Sequence, residues 1–360
     1  MSDPAPADGM KDGYRRYTKR KILFIAACLS VAAASVGLSV SVGGRTVEFL
    51  DVYSSIWGHI IGDRPAAGTS AWMDDFIIWN VRLPRAVFAA VAGAGLAVGG
   101  AVMQSVMKNP LADPYTTGIS SGAMFGVAVG MVLGLTVAGG SGQYGLVMNA
   151  FLFALVPMAM ITALSPLSNS SPATLILAGV AVSYLFNALT TLLLVTTDAE
   201  TLAAVYRWQI GSLTDITWDS VPVMAGITIA GTVAISIASR KLNVLSLGDA
   251  QARALGLDVS GLRILCLLAL SLMTASVVAY AGILGFIGLV SPHIVRMVID
   301  ADNRFVIPAA AAFGAAFLMA SDILARAISD IGAVPAGVVV SFMGAPVFLY
   351  LIMRQRGRAF

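Results

Sequence analysis

This 360-residue chain reads as an all-α polytopic membrane protein with ten spans, on three observations. Hydrophobic residues make up 58% of it and charged residues 11%, far from the roughly 25% charged residues of an average soluble domain. Mean hydropathy is +0.86. Finally, apolar runs of about 20 residues, the length that crosses some 30 Å of hydrocarbon, recur along the chain.

The elements follow in order. Residues 1–21 carry Lys11, Arg15, Arg16, Lys19, Arg20 and Lys21 and are expected as a cytoplasmic N-terminal tail. One transmembrane domain is expected over 22–353, with clear spans at 22–42, 86–107, 118–138, 145–164, 173–195, 220–239, 305–325 and 334–353. As a cleaved leader, 22–42 is long for an h-region. Among Asp, Glu, Lys, Arg and His, residues 264–299 contain only His293 and Arg296, with Asp300 directly after, and as a single helix would run roughly 54 Å, too long for a bilayer. Gly282, Gly285, Gly288 and Pro292 predict a hairpin there, which brings the count to ten. A tail at 354–360 holds Arg354, Arg356 and Arg358. The positive-inside rule puts both termini in the cytoplasm, which requires an even number of spans. The same topology puts Arg240, Lys241, Arg253 and Arg263 inside.

Missing residues narrow the function classes. Spans one to seven and span ten have no ionisable residue well inside their apolar runs, whereas ion-coupled carriers usually rely on buried carboxylates, His or broken helices. No GxxxxGK[ST] is present, so the chain carries no Walker-type ATPase. HExxH, CxxC and GxSxG are absent too, which gives a membrane enzyme little support. Cys28 and Cys266 fall in apolar runs and read as small buried hydrophobes. The 16 Met residues are scattered, as suits gap-filling rather than soft-metal ligation. Gly122, Gly126, Gly130 and Gly134 recur every four residues, and Gly95 and Gly99 repeat the spacing, as close helix packing or a backbone-lined path requires.

Several polar segments stand apart. Arg82 and Arg85 open span two on the expected outer side, where they either snorkel to headgroups or meet an acidic partner. Asp322 and Arg326 have the spacing of an intrahelical pair. Asn109, ahead of Pro110 and Pro114, marks a pore-end turn or caps a loop. Ser183, Asn187 and Thr190 share a helical face and are candidates to line a path. His293 reads as a packing histidine, with a proton or metal role as the alternative. In "SLGDAQARALGLDVSGL" (246–262), Ser246 is a plausible N-cap, Gly256 a stop and Asp258 a second cap. Leu247, Ala250, Ala254 and Leu255 lie on one face, with Asp249, Gln251 and Arg253 elsewhere. This predicts two short cytoplasmic helices joined at a glycine, either an ordinary amphipathic loop or a grip for a soluble partner.

Seven motifs, in order and at sensible spacing, resemble the FecCD-type permeases of ABC importers for iron-siderophores, haem and cobalamin: "RLPR" (82–85), "GAGLAVGGAVMQSVMKNPLADPYTTGISSGA" (93–123), "RWQIGSL" (207–213), "LGDAQARALGLDV" (247–259), "GFIGLVSPHIVRM" (285–297), "DILAR" (322–326) and "GAPVFLYLIMR" (344–354). The resemblance implies a type II, cobalamin-importer-like fold in a prokaryotic inner membrane. It implies a second permease subunit, in a homodimer or heterodimer, two ATP-binding cassette subunits carrying ATP and magnesium, and an extracytoplasmic binding protein. Lipid and no nucleic acid complete the expected surroundings, and this chain itself is expected to bind no cofactor or metal. By resemblance, Arg82, Arg85 and Arg326 pair with glutamates of the binding protein. Leu247, Asp249, Ala250, Arg253, Ala254, Leu255, Gly256 and Leu257 dock in the ATPase cleft. Asn109 and the Ser168–Ser171 loop, with Ser170 and Ser171, contribute to a cytoplasmic gate; "SNSS" is the looser match. "RWQIGSL" fits the outer end of span five and a following short helix. Paths in this family are broad and poor in ligands, so the choice among ferric siderophore, haem and cobalamin rests with the binding protein. An ion-coupled carrier and a non-transport membrane scaffold are the alternatives.

Overall fold

The computed structural model describes residues 7–43, 47–137, 143–164, 172–328 and 334–356, and among them every regular element is helical. Fourteen α-helices follow one another: α1 (Ala7–Ser41), α2 (Phe49–Ile61), α3 (Ser70–Ile77), α4 (Leu83–Met107), α5 (Ile119–Leu133), α6 (Gln143–Leu164), α7 (Pro172–Val195), α8 (Ala199–Gln209), α9 (Ser220–Ser246), α10 (Asp249–Ala254), α11 (Val259–Ala281), α12 (Ile287–Ile299), α13 (Asn303–Ala327) and α14 (Ala336–Arg356). Seven helical stretches are long and apolar enough to cross a membrane, and the apolar helices at 119–133, 287–299 and 336–350 are shorter. Counting these three, the bundle has the ten expected segments. The core is built around α4, whose small residues let α9, α11, α12 and α13 approach on all sides.

Several boundaries differ from the sequence prediction. Helix α1 begins at Ala7, so much of the expected tail is helical; no proline interrupts the chain after Pro6 until the first span is complete. At its basic end Lys21 is buried over the rings of Tyr17 and Phe305, at 4.0 and 4.9 Å. Helix α9 continues past 239 to Ser246 because buried Leu242 and Leu245 prolong its packed face. The unassigned stretch before span two forms α2 and α3, and α3 runs through a π-helical turn (Ile78–Arg82) into α4. His59 fastens α2 to α3 through Asp75 at 2.8 Å and stacks on Trp79 at 4.0 Å.

The predicted span at 118–138 shortens to the 15 residues of α5. After α4, capped at Lys108, the chain turns back into the bundle instead of forming a loop outside it. A short 3-10 turn (Pro114–Thr117) places Pro114 beside Gly99, nine residues and so roughly 13 Å up the axis of α4. Helix α5 therefore starts already inside the bundle. It ends where Gly134 adopts a left-handed φ of 66°, so this glycine is a terminator rather than part of a packing face. Gly122, Gly126 and Gly130 do press against α6, next to Phe153, Asn149 and Leu146.

The hairpin at 264–299 is present in altered form. Helix α11 rises to Tyr280, which packs edge-on against Phe88 of α4 at 6.2 Å. Gly288 instead lies against Gly100, twelve residues and roughly 18 Å further along α4. Residues 282–286 cover that descent without a helix, which is why a 13-residue α12 suffices. Unpaired backbone is costly at membrane depth. Here the Tyr115 hydroxyl serves both polar groups of Leu284, donating to its carbonyl (3.3 Å) and accepting from its N–H (3.4 Å).

Candidate functional site

The expected functional residues gather at opposite ends of the bundle. Helix α10 and the preceding end of α9 mark one end. Gly248, with φ of 125°, turns the chain between α9 and α10, and it rather than Ser246 is the N-cap. Ser246 belongs to α9 and spends its hydroxyl on the Asn243 carbonyl. The other two cap expectations match the geometry. The Gly256 N–H donates to the Arg253 carbonyl and the Leu257 N–H to that of Ala252, the paired bonds of a Schellman stop with Gly256 at φ of 80°. Asp258 accepts from the Gly261 N–H at 3.0 Å and caps α11. The second helix is not separate: it is the start of α11, because nothing breaks the chain after Val259.

Ala252 is buried and pins α10 to the bundle. Ala250, Arg253, Ala254 and Gly256 are exposed, with Leu247 at 62% and Leu255 at 67%. An apolar surface on a short polar connection is what a partner would cover. Asp249 points the other way. It accepts from Lys108 at 2.5 Å and from Arg263 at 3.0 Å. Burial alone would raise the Asp249 carboxyl, but the hydrogen bonds and charges of Lys108 and Arg263 outweigh it and hold the group below the usual carboxylate range.

Asn109 opens the re-entrant segment, its side-chain oxygen accepting from the Leu111 N–H at 2.9 Å. Ser170 and Ser171 lie outside the described residues. On α7 the three proposed path residues do not form one open face: Asn187 is exposed, Ser183 half-buried, and Thr190 buried with its hydroxyl on the Phe186 carbonyl.

At the other end, Arg85 and Arg326 converge on the fully buried Asp322, and Arg82 lies close by on the end of α1. Arg85 donates to Asp322 through Nε (3.0 Å) and Nη2 (2.7 Å), and Arg326 pairs with the other carboxylate oxygen at 3.1 Å. Arg82 donates to the carbonyls of Val40 (2.7 Å) and Ser41 (3.3 Å). Arg326 reaches those of Ser39 (2.5 Å) and Val42 (2.8 Å). Two guanidinium groups thus satisfy the terminal carbonyls of α1 and place positive charge at the negative end of its dipole. Sequence spacing exposed the Asp322–Arg326 pair but gave no sign that Arg85 shares the carboxylate or that α1 supplies the carbonyls.

Among the described residues, no group of three His, Cys, Asp or Glu is placed to hold a metal ion. An open cavity of about 650 Å³ lies between the end of α8, the 282–286 segment and α14, lined by Gln209, Ile210, Ile283, Gly285, Ser341 and Phe342 among others.

Comparison with known proteins gives this architecture a family. The chain is 34% identical to the hemin transport system permease of Yersinia pestis over 93% of its own length and 95% of the relative's. It is 38% identical to an ABC transporter permease protein of Methanocaldococcus jannaschii, over 96% and 98%. With the cobalamin import system permease of Halobacterium salinarum it shares 38% identity over 79% and 75%. A structure described as an inward-facing conformation of a metal-chelate type ABC transporter superposes with a TM-score of 0.80 at 28% identity, over 92% of this chain and 98% of that one. The model of the FecCD transport family matches residues 27–354, nearly the whole bundle, and the chain belongs to that family.

Proposed function

We propose that this chain is the membrane-spanning permease subunit of an importer driven by a separate ATPase. Its cargo is a large metal chelate, a ferric siderophore or haem ahead of cobalamin, delivered by an extracytoplasmic binding protein. The observation that carries this reading is the exposed apolar surface of Leu247, Ala250, Ala254 and Leu255, on a chain with no nucleotide-binding motif of its own. Family membership and the named cargoes of the hemin and cobalamin relatives support it.

In this reading α10 seats in the ATPase, nucleotide binding moves it, and the bundle switches between outward and inward access. Both termini then lie in the cytoplasm, and Arg82, Arg85 and Arg326 face the binding protein. Because Asp322 already engages Arg85 and Arg326, glutamates of the binding protein compete with it for the same guanidinium groups. The cavity beside α14 is one half of a path that a second permease subunit completes.

The test is uptake in proteoliposomes containing this chain, its ATPase and the binding protein loaded with haem, a ferric siderophore or cobalamin. Uptake is expected with ATP inside and to persist when ionophores dissipate ion gradients. Uptake sustained by a gradient without ATP would overturn the proposal in favour of an ion-coupled carrier.

A further inference from the structure

We propose that Asp249 is a positioning residue that carries displacement of α10 into the inner end of α4 and the re-entrant segment beyond it. The inference rests on the reading of α10 as the ATPase contact and extends it to what α10 moves.

Three features meet at this carboxylate. First, Asp249 is the first residue of α10, and its oxygens face inward onto Lys108 and Arg263 while the apolar side chains of the same segment face out. The helix thus presents one face to a partner and holds the bundle with the other. Arg263, on α11, is buried to 2% exposure and fixes one side of the carboxylate to the core. Lys108 fixes the other side to the end of α4.

Second, Lys108 is the hinge of its segment. It is one of three non-glycine residues among the described residues with positive φ, at 50°, a conformation that disfavours L side chains and needs its surroundings to hold it. Its own N–H and that of Asn109 both donate to the Gln104 carbonyl. Asp249 holds the side-chain end of the residue at which the helix stops and the chain turns inward.

Third, the turn leads somewhere. Asn109–Thr117 climbs beside Gly99 to Pro114, and Asp113 and Pro114 both lie against Gly288 at the start of α12. Tyr115 then holds the unwound 282–286 segment through Leu284, and that segment borders the open cavity. A continuous set of contacts therefore runs from α10 through Asp249 and Lys108 to the cavity wall. Its links are hydrogen bonds, ion pairs and packed contacts, joined by the short non-helical stretch 108–113, which is braced internally by Asn109: its side-chain oxygen accepts from the Leu111 N–H (2.9 Å) and its carbonyl from the Ala112 N–H (3.1 Å). A surface ion pair with both side chains about a quarter exposed adds little stability; its place between two moving parts is what gives it a role.

The test uses the assembled transporter with its ATPase in proteoliposomes and reads substrate imported per ATP hydrolysed. Lys108→Met is expected to leave subunit assembly intact and hydrolysis within about twofold while import per ATP falls at least tenfold, and Asp249→Asn is expected to assemble and to lose import per ATP to the same extent. The double variant is expected to be no worse than either single one, since both break the same link. Asp249→Glu and Lys108→Arg, which keep the charges, are expected to retain coupling. Normal coupling in Lys108→Met, additive losses in the double variant, or failure of Asp249→Asn to assemble would each overturn the proposal. Leu255→Asp serves as a reference: if it leaves assembly and import unchanged, the reading of α10 as the ATPase contact fails, separately from the role of Asp249.

Discussion

Asp322 is a single carboxylate with no exposed surface, facing Arg85 and Arg326. Removing one partner of a buried ion pair costs about 3–5 kcal/mol, because the charge left behind has lost its compensation. Asp322→Ala leaves two mostly buried guanidinium groups in that state and is expected to lower the thermal midpoint of the purified protein clearly, while Arg85→Gln is expected to cost less because Arg326 still neutralises the aspartate. Equal midpoints for wild type and Asp322→Ala would show that the cluster carries no stability. The same geometry bears on how docking should be probed. Arg326→Glu sets a second carboxylate beside Asp322 and strips the Ser39 and Val42 carbonyls of their donor, so it tests the fold as much as the partner. The sequence exposed Arg82 and Arg85 because the expected topology sets them at a span's outer end, against the usual bias of positive charge. It could not show their occupancy, since the acceptors come from the end of α1, more than 280 residues from Arg326.

Elements were legible where the determinant is local. Gly256 and Asp258 end one helix and start the next through bonds within a few residues, so composition alone located them. The return of Asn109–Thr117 into the bundle and the unwinding of 282–286 depend on surfaces brought from elsewhere. Gly100 shows why: its Cα hydrogen faces the Gly288 carbonyl so closely that a methyl group there would collide with backbone. The four-residue glycine repeat in α5 was readable as a pattern, whereas Gly100 and Gly288 are 188 positions apart and belong to no repeat. Gly100→Ala is expected to push α12 off α4 at a cost of about 1–3 kcal/mol, the usual range for overpacking a tight interior, and to lower the thermal midpoint. Gly226→Ala, in α9 with open space around the added methyl, is the control, and equal midpoints for the two variants would contradict the packing argument.

For the whole molecule, the unburied surface matters most. Helix α7 exposes Tyr184 at 73%, and α14 exposes Phe342 at 77%, next to the open cavity. Lipid alone would suffice for an exposed apolar side chain such as Ile237 on α9, at 78% exposure. Under the proposed function the cavity favours a protein instead: it is bounded on one side by α14 and the 282–286 segment and open on the other, and a translocation path needs a wall on every side. A second permease subunit seated on α14 would close it. Phe342→Ser is therefore expected to shift the transporter in mild detergent from two permease copies to one, as read by native mass spectrometry. Ile237→Ser is expected to leave the pair intact. A pair unaffected by Phe342→Ser, or one split equally by Ile237→Ser, would remove the α14 face from the subunit interface and assign it to lipid, leaving the second half of the path to be sought on another side of the bundle.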